Sequence, residues 1–255
     1  MARPVHDLAR GFDRATEAYD RGRPEYPAGA VAALAAALDL RPGRRVLDLG
    51  AGTGKLTRAL ASTGADRIAV EPLDGMRETF ARRVPDVTVL AGTAEAIPLG
   101  DGSVDAVVCG QSFHWFHVPR AAGEIARVLR PGGGLGLVWN LRDESVPWVA
   151  ELSRLMDVFD HGAPRARERA WRAPLDATGR FGPIEGTVVP FEQTVDRPTL
   201  VDRVLSVSFV AVLTDDEKAR VAAAVTGLAD RVFPGARTFP LPYRTEVSWT
   251  VRRPG

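Results

Sequence analysis

The stretch VLDLGAGTGKLT, Val46 to Thr57, decides how this chain is read. An apolar run leads into three glycines, Gly50, Gly52 and Gly54, and then into a helix-forming segment opened by Lys55. A strand, a glycine turn and a helix in succession let a backbone come close to a ligand, because glycine adopts left-handed conformations and carries no Cβ to obstruct the approach. Several nucleotide-like ligands use such turns, and the spacing separates them.

A P-loop, G-x-x-x-x-G-K-[ST], requires glycine at 49 and a hydroxyl at 56; both positions are leucine. The dinucleotide fingerprint G-x-G-x-x-G fits Gly50 and Gly52 but needs its third glycine at 55, which is lysine. What stands here is D-x-G-x-G-x-G, from Asp48 to Gly54. An acid immediately before the turn opposes a pyrophosphate. It suits a ligand with an ammonium group and no phosphate, a description met by S-adenosylmethionine (SAM). Glu71 ends the next apolar run, 21 residues after Gly50, where a carboxylate can accept both ribose hydroxyls.

Outward from this turn, short apolar runs at 45–50, 67–71, 87–92, 104–110 and 135–140 read as strands. They are continuous rather than alternating, as expected of parallel strands covered on both faces. Helical spacing fills the gaps, with Met76, Phe80 and Val84 in one repeat and Ala121, Ile125, Val128 and Leu129 in another, ended by PGGG at 131–134. This alternation predicts a doubly wound α/β sheet. Beyond it the pattern predicts helices at about 146–160, 199–211 and 215–232, a strand at 186–195, and a helix-poor, Arg-rich piece at 161–183. Val247, Trp249 and Val251 alternate with polar residues, as in an antiparallel strand near a sheet edge. We expect one domain over 1–255: an arm (1–27), a cofactor-binding core (28–145), substrate-side helices (146–237) and a closing strand (238–255).

Composition narrows the function classes. With 45% apolar and 25% charged residues the chain can bury a sizeable core. A formal net charge of +1 argues against an electrostatic grip on nucleic acid. The single cysteine, Cys109, excludes an internal disulfide and cysteine zinc sites. His114 and His117 lack a third ligand nearby, so no metal is expected. The N-terminal residues have no signal-peptide core and the run at 30–40 is too short for a bilayer, so the expected setting is cytoplasmic, without membrane insertion.

Taken together, YDRGRPEYP (19–27), VLDLGAGTG (46–54), VEP (70–72), AGTAEAIPLGDGSVDAVVCGQSFHWF (91–116) and VLRPGGGLGLVWN (128–140) resemble class I SAM-dependent methyltransferases of the small-molecule type. The nearest groups in pattern are those methylating trans-aconitate and ubiquinone or menaquinone precursors. The resemblance implies a mostly parallel, seven-stranded, Rossmann-like sheet with an antiparallel strand near the C-terminus. It places Gly50, Ala51, Gly52 and Thr53 along the methionine and ribose, Asp48 on the ammonium side and Glu71 on the ribose hydroxyls. Pro72 and Met76 would flank the adenine, and Thr93, Ala94 and Glu95 would line its other edge, with Thr93 where relatives commonly have Asp. Gln111 and Ser112 would lie beside the methionine, and Tyr19 and Arg21 in an arm folding over the cofactor.

Methyl transfer from a sulfonium requires alignment and exclusion of water above all. A base is needed for a hydroxyl, protonated amine or C–H acceptor and not for a carboxylate. His114, titrating near neutral pH, is the candidate base, with Trp115, Trp139 and Asn140 lining the acceptor pocket. The expected product is S-adenosylhomocysteine. The competing classes are a nucleic-acid or protein methyltransferase and a SAM-binding protein that uses the fold for another reaction. The arginines of RARERAWR (165–172) read as a solvated face.

Overall fold

The computed structural model describes residues 22–159 and 169–254. Seven strands make one sheet: β1 (Arg45–Leu49), β2 (Asp66–Glu71), β3 (Val89–Ala91), β4 (Val104–Gly110), β5 (Leu129–Arg142), β6 (Glu185–Val195) and β7 (Phe239–Val251). Their order is β3-β2-β1-β4-β5-β7-β6. The first five strands pair in parallel, β7 runs antiparallel to β5, and β6 antiparallel to β7. The chain builds outward from β1 to β3 and then returns to lay β4 on the other side of β1. That reversal opens a crevice at the carboxyl ends of β1 and β4, where open α/β sheets bind ligands.

Nine α-helices lie among the described residues: α1 (Ala28–Leu38), α2 (Lys55–Ala59), α3 (Asp74–Arg83), α4 (Val118–Val128), α5 (Pro147–Asp157), α6 (Arg172–Ala177), α7 (Arg197–Leu205), α8 (Ser208–Ala211) and α9 (Asp215–Val232). Strand residues alternate between two apolar layers. Val46, Ala106, Val108 and Val138 pack with Val31, Leu34 and Leu38 of α1. Leu47, Leu49, Val107, Leu135 and Leu137 pack with Ala121, Ala122 and Ile125 of α4. Burying each such branched side chain contributes roughly 1.5–3 kcal/mol relative to exposure, so both faces must be covered, and the strands read as continuous apolar runs for that reason. A further core joins Val149 and Leu152 of α5, Leu200 and Val204 of α7, and Val225 and Leu228 of α9 to Leu241 and Tyr243 of β7. Because β7 is antiparallel to β5, this layer gathers where β5 ends.

The elements differ from expectation mainly at their limits. β3 is shorter than 87–92. At Gly92 an added Cβ would press into Pro98, so the chain turns there instead of continuing the ladder. The glycines at 132–134 belong to β5, which starts as soon as α4 ends at Val128. The single helix expected at 199–211 is two, broken where Val207 is extended (φ −71, ψ 133) and Ser206 Oγ donates back to Arg203 O. The helix-poor piece contains α6, and its residues 161–168 lie outside the described residues. No helix among the described residues is long and apolar enough to cross a membrane.

Gly54 shows how closely the turn fits the sheet. Its φ is +85, and an added Cβ would lie 2.6 Å from Val84 Cγ2 and 2.8 Å from Phe80 Cδ2. Left-handed strain and overpacking should together make Gly54→Ala about 2–4 kcal/mol less stable. Urea unfolding reads this directly. A variant as stable as the parent would show that the turn relaxes without cost.

Candidate cofactor and acceptor site

The residues after β1 form the floor of a cavity of about 630 Å³, within the usual range for small-ligand sites. Gly50 and Gly52 have φ +71 and +56, and the N–H groups of Gly50 and Ala51 both donate to Val70 O, at 2.8 and 3.2 Å. Glu71 locks this turn to the next loop: its Oε2 accepts from Gly52 N at 2.9 Å and its Oε1 from Leu73 N at 3.0 Å. Asp48 is 2% exposed. Its Oδ2 accepts from Thr57 Oγ1 at 2.5 Å, while Oδ1 is buried with no partner among the described residues. Burial, reinforced by the charge of Glu71 and opposed by Thr57, pushes the Asp48 carboxyl up to about 7. Thr53, Pro72 and Met76 also line this end.

The β3 end adds Thr93, Ala94 and Glu95. Thr93 Oγ1 is buried without a partner among the described residues, and Glu95 Oε1 accepts from His117 N at 2.8 Å. From β4 come Gln111 and Ser112. Gln111 has φ +58, uncommon for a residue with a side chain, and is held there by bonds from its N to Val138 O and from its Nε2 to Asn140 O. Ser112 Oγ donates to Leu49 O at 2.9 Å. His114, Trp115 and Asn140 lie on the cavity wall, Asn140 donating to Glu25 O and accepting from Thr245 Oγ1.

Trp139 is the exception among the expected lining residues. It is buried behind the wall, stacked on Trp171 with centroids 5.2 Å apart, and its Nε1–H donates to His114 Nδ1 at 3.4 Å. Alternation explains this: Asn140 faces the α1 layer, so its neighbour Trp139 must face the α4 layer. Tyr19 and Arg21 lie outside the described residues. The following segment, 22–27, does reach the cavity through Arg23, Pro24 and Tyr26, and is tied to α2 by ion pairs of Glu25 with Lys55 and Arg58. Arg23 and Tyr26 stood in the YDRGRPEYP motif and could have been named from it. Trp171, which stands among those arginines, is buried against Trp139 and lines the cavity, whereas Arg169 and Arg172 are exposed. A lone tryptophan among arginines was its only signal.

The structure also changes the reading of His114. An indole N–H can only donate, so Nδ1 must accept and the neutral ring keeps its proton on Nε2. Burial, with the nearby charge of Arg23, pushes the imidazole down to about 3. A ring in that state donates a hydrogen bond. Both the Trp139 bond and the lowered proton affinity weigh against the expected role of general base.

The methyltransferase domain family matches residues 47–137. An uncharacterized methyltransferase-like protein of Schizosaccharomyces pombe is 38% identical over 215 residues, covering 84% of each chain. An uncharacterized methyltransferase of Mycobacterium bovis is 51% identical over 150 residues, covering 59% of this chain and 60% of that protein. The solved structure of a putative type II methyltransferase from Anaeromyxobacter dehalogenans superposes with a TM-score of 0.62 at 23% identity, over 90% of this chain and 96% of that one. The fold is the Rossmann-like fold of class I methyltransferases. The chain belongs to the methyltransferase family.

The shift at His114 has a consequence for stability. An unfolded chain's imidazole titrates near 6.5, the folded one near 3. Between those values unfolding takes up a proton, so this residue lowers stability progressively as pH falls from about 6.5 towards 3. From pH 6.5 to 5 the loss is at most about 2 kcal/mol. His114→Gln should therefore gain on the parent between pH 7 and pH 5 in urea unfolding. Parallel profiles would show that the ring titrates freely in the fold.

Proposed function

We propose that the protein transfers a methyl group from SAM to a small-molecule acceptor and leaves S-adenosylhomocysteine. The observation that carries this reading is the unpartnered, buried Oδ1 of Asp48 beside a glycine turn. A buried carboxylate oxygen without a donor is costly, and an ammonium group offsets that cost. A phosphate in the same place would be repelled by Asp48 and Glu71 together. The donor set therefore fits SAM and does not fit ATP or a dinucleotide.

When bound, SAM supplies a methyl group already activated on a sulfonium. The chain's own work is to hold and align. Asp48 would take the ammonium, and Glu71 the ribose hydroxyls. Met76 packs on the adenine, and the unpartnered Thr93 hydroxyl meets a polar atom at its edge. Gln111, fixed by its strained backbone and the bond to Asn140 O, borders the space between cofactor and acceptor. Trp115, Trp171 and Pro174 give the acceptor an apolar wall and exclude water.

Glu71→Ala removes the sugar's partner and the clamp on Gly52 together. Hydrogen bonds to a charged acceptor contribute roughly 1.5–3 kcal/mol, so SAM affinity should fall about tenfold to a hundredfold in titration calorimetry. Unchanged affinity in a folded variant would remove Glu71 from the site.

The protonation of Asp48 gives a second, independent check. Below about 7 the ligand-free carboxyl holds a proton, and an ammonium group binds only once that proton leaves. SAM affinity should therefore rise about tenfold per pH unit between roughly 5 and 7 and level off above, with up to one proton released per ligand below 7. Calorimetry in buffers of different ionisation enthalpy counts the protons. A pH-independent affinity would mean that the ammonium lies elsewhere.

A further inference from the structure

Three rings at one side of the cavity are fixed to one another. Trp139 is stacked on Trp171, with centroids 5.2 Å apart and 23° between the planes, and its Nε1–H is spent on His114 Nδ1. Phe113 braces the other side of this group, meeting Trp171 edge-on at 5.7 Å. Trp139 lies behind the wall, whereas His114 and Trp171 both line the cavity. With Nδ1 occupied, the one imidazole nitrogen left to the cavity is the Nε2–H donor. Trp171 is 5% exposed, and its Nε1–H is buried with no partner among the described residues. An indole nitrogen cannot accept a hydrogen bond, so only a lone pair from elsewhere satisfies it. A buried donor left without one is costly, and here it stands in the wall of a ligand cavity.

Two neutral N–H donors on rings held by the same tryptophan suit one oxygen atom. Resting on the methyltransferase reading, we infer that His114 Nε2–H and Trp171 Nε1–H together hold a carbonyl-type oxygen of the acceptor, and that this oxygen is not the atom methylated. An oxygen whose two lone pairs both accept N–H bonds has none left to attack the sulfonium methyl. It serves as a handle, and holding it moves no proton and no electron pair. A hydroxyl is a poorer occupant, because its own proton needs an acceptor and His114 Nδ1 is already taken. Trp115 and Pro174 pack the apolar remainder of the acceptor. Trp139 touches no acceptor. It is a positioning residue, which fixes the His114 tautomer and carries Trp171 on its face.

The test uses the full chain. Heteronuclear NMR of the imidazole nitrogens, with His114 assigned by its loss in His114→Phe, should show a single tautomer protonated at Nε2. Trp139→Phe keeps a ring for the stack and removes the N–H, and should give a mixture of tautomers at His114. A parent ring protonated at Nδ1 would overturn the donor pair. The second arm takes its probe from a small-molecule extract of cells, as the fraction that accepts label from methyl-tritiated SAM. Trp171→Phe should raise the KM for that fraction about three- to tenfold, as one lost hydrogen bond implies, with kcat within about threefold of the parent. SAM affinity in calorimetry should stay unchanged. His114→Phe should behave alike, and His114→Gln, whose amide N–H reaches about as far as Nε2, should restore most of the loss; a ring needed only for its shape would not be rescued by glutamine. An unchanged KM in both phenylalanine variants, or a labelled product without an unmethylated carbonyl-type oxygen, overturns the inference and leaves the methyltransferase reading standing. Bound SAM with no label transferred to any fraction overturns both. If the variants do not fold, the tautomer and the labelled product of the parent protein still decide.

Discussion

The carboxylate of Glu71 cross-links the turns that follow the paired strands β1 and β2. One oxygen takes the Gly52 N–H of the turn after β1, the other the Leu73 N–H of the turn after β2. Each is a donor near the start of a helix, α2 or α3, and would lack a partner otherwise. Placing the acid there costs desolvation, and that cost falls also on Asp48, whose proton affinity rises with Glu71 beside it. Two acids and a glycine turn thereby form one unit: the glycines let the chain curl, Glu71 fixes the curl, and Asp48 faces inward incompletely satisfied. The remaining walls are arranged around that unit.

The second constraint is the change of strand direction after β5. Parallel pairing alone would send the chain over a face of the sheet, whereas an antiparallel β7 returns its first residues to the carboxyl end of β5. The helical layer of α5, α7 and α9 packs on those residues. The glycine turn belongs to the early part of the chain and this layer to its later part. Asn140 touches segment 22–27 through Glu25 O and β7 through Thr245.

Much of this was legible in the sequence, for identifiable reasons. The parallel strands declare themselves because both faces are buried, and the ligand turn declares itself because only glycine accepts its dihedrals and because acids flank it. What was not legible depends on contacts distant along the chain. Nothing local marks Trp139 as facing away from the cavity; its direction follows from the face that Asn140 takes. The His114 tautomer is set by that same tryptophan, 25 residues away, and no motif records it. The ends of β3 and the break between α7 and α8 were missed for a smaller reason, since turn packing and one serine hydroxyl decide them.

The pairing of β5 with β7 also bears on how the protein is made. Its register joins Arg142 to Tyr243 and Gly134 to Val251, partners separated by about 100 residues or more. While a ribosome is still adding the intervening helices, β5 is the open rim of an apolar parallel sheet, with its ladder groups unpaired on one side. Loops of that length close slowly, and a flat apolar rim in the meantime invites pairing with other nascent chains. The sheet is thus completed by a strand that arrives late in synthesis. Changes in β7 should appear first as lost yield and chaperone dependence, before any effect on the chemistry of the finished enzyme.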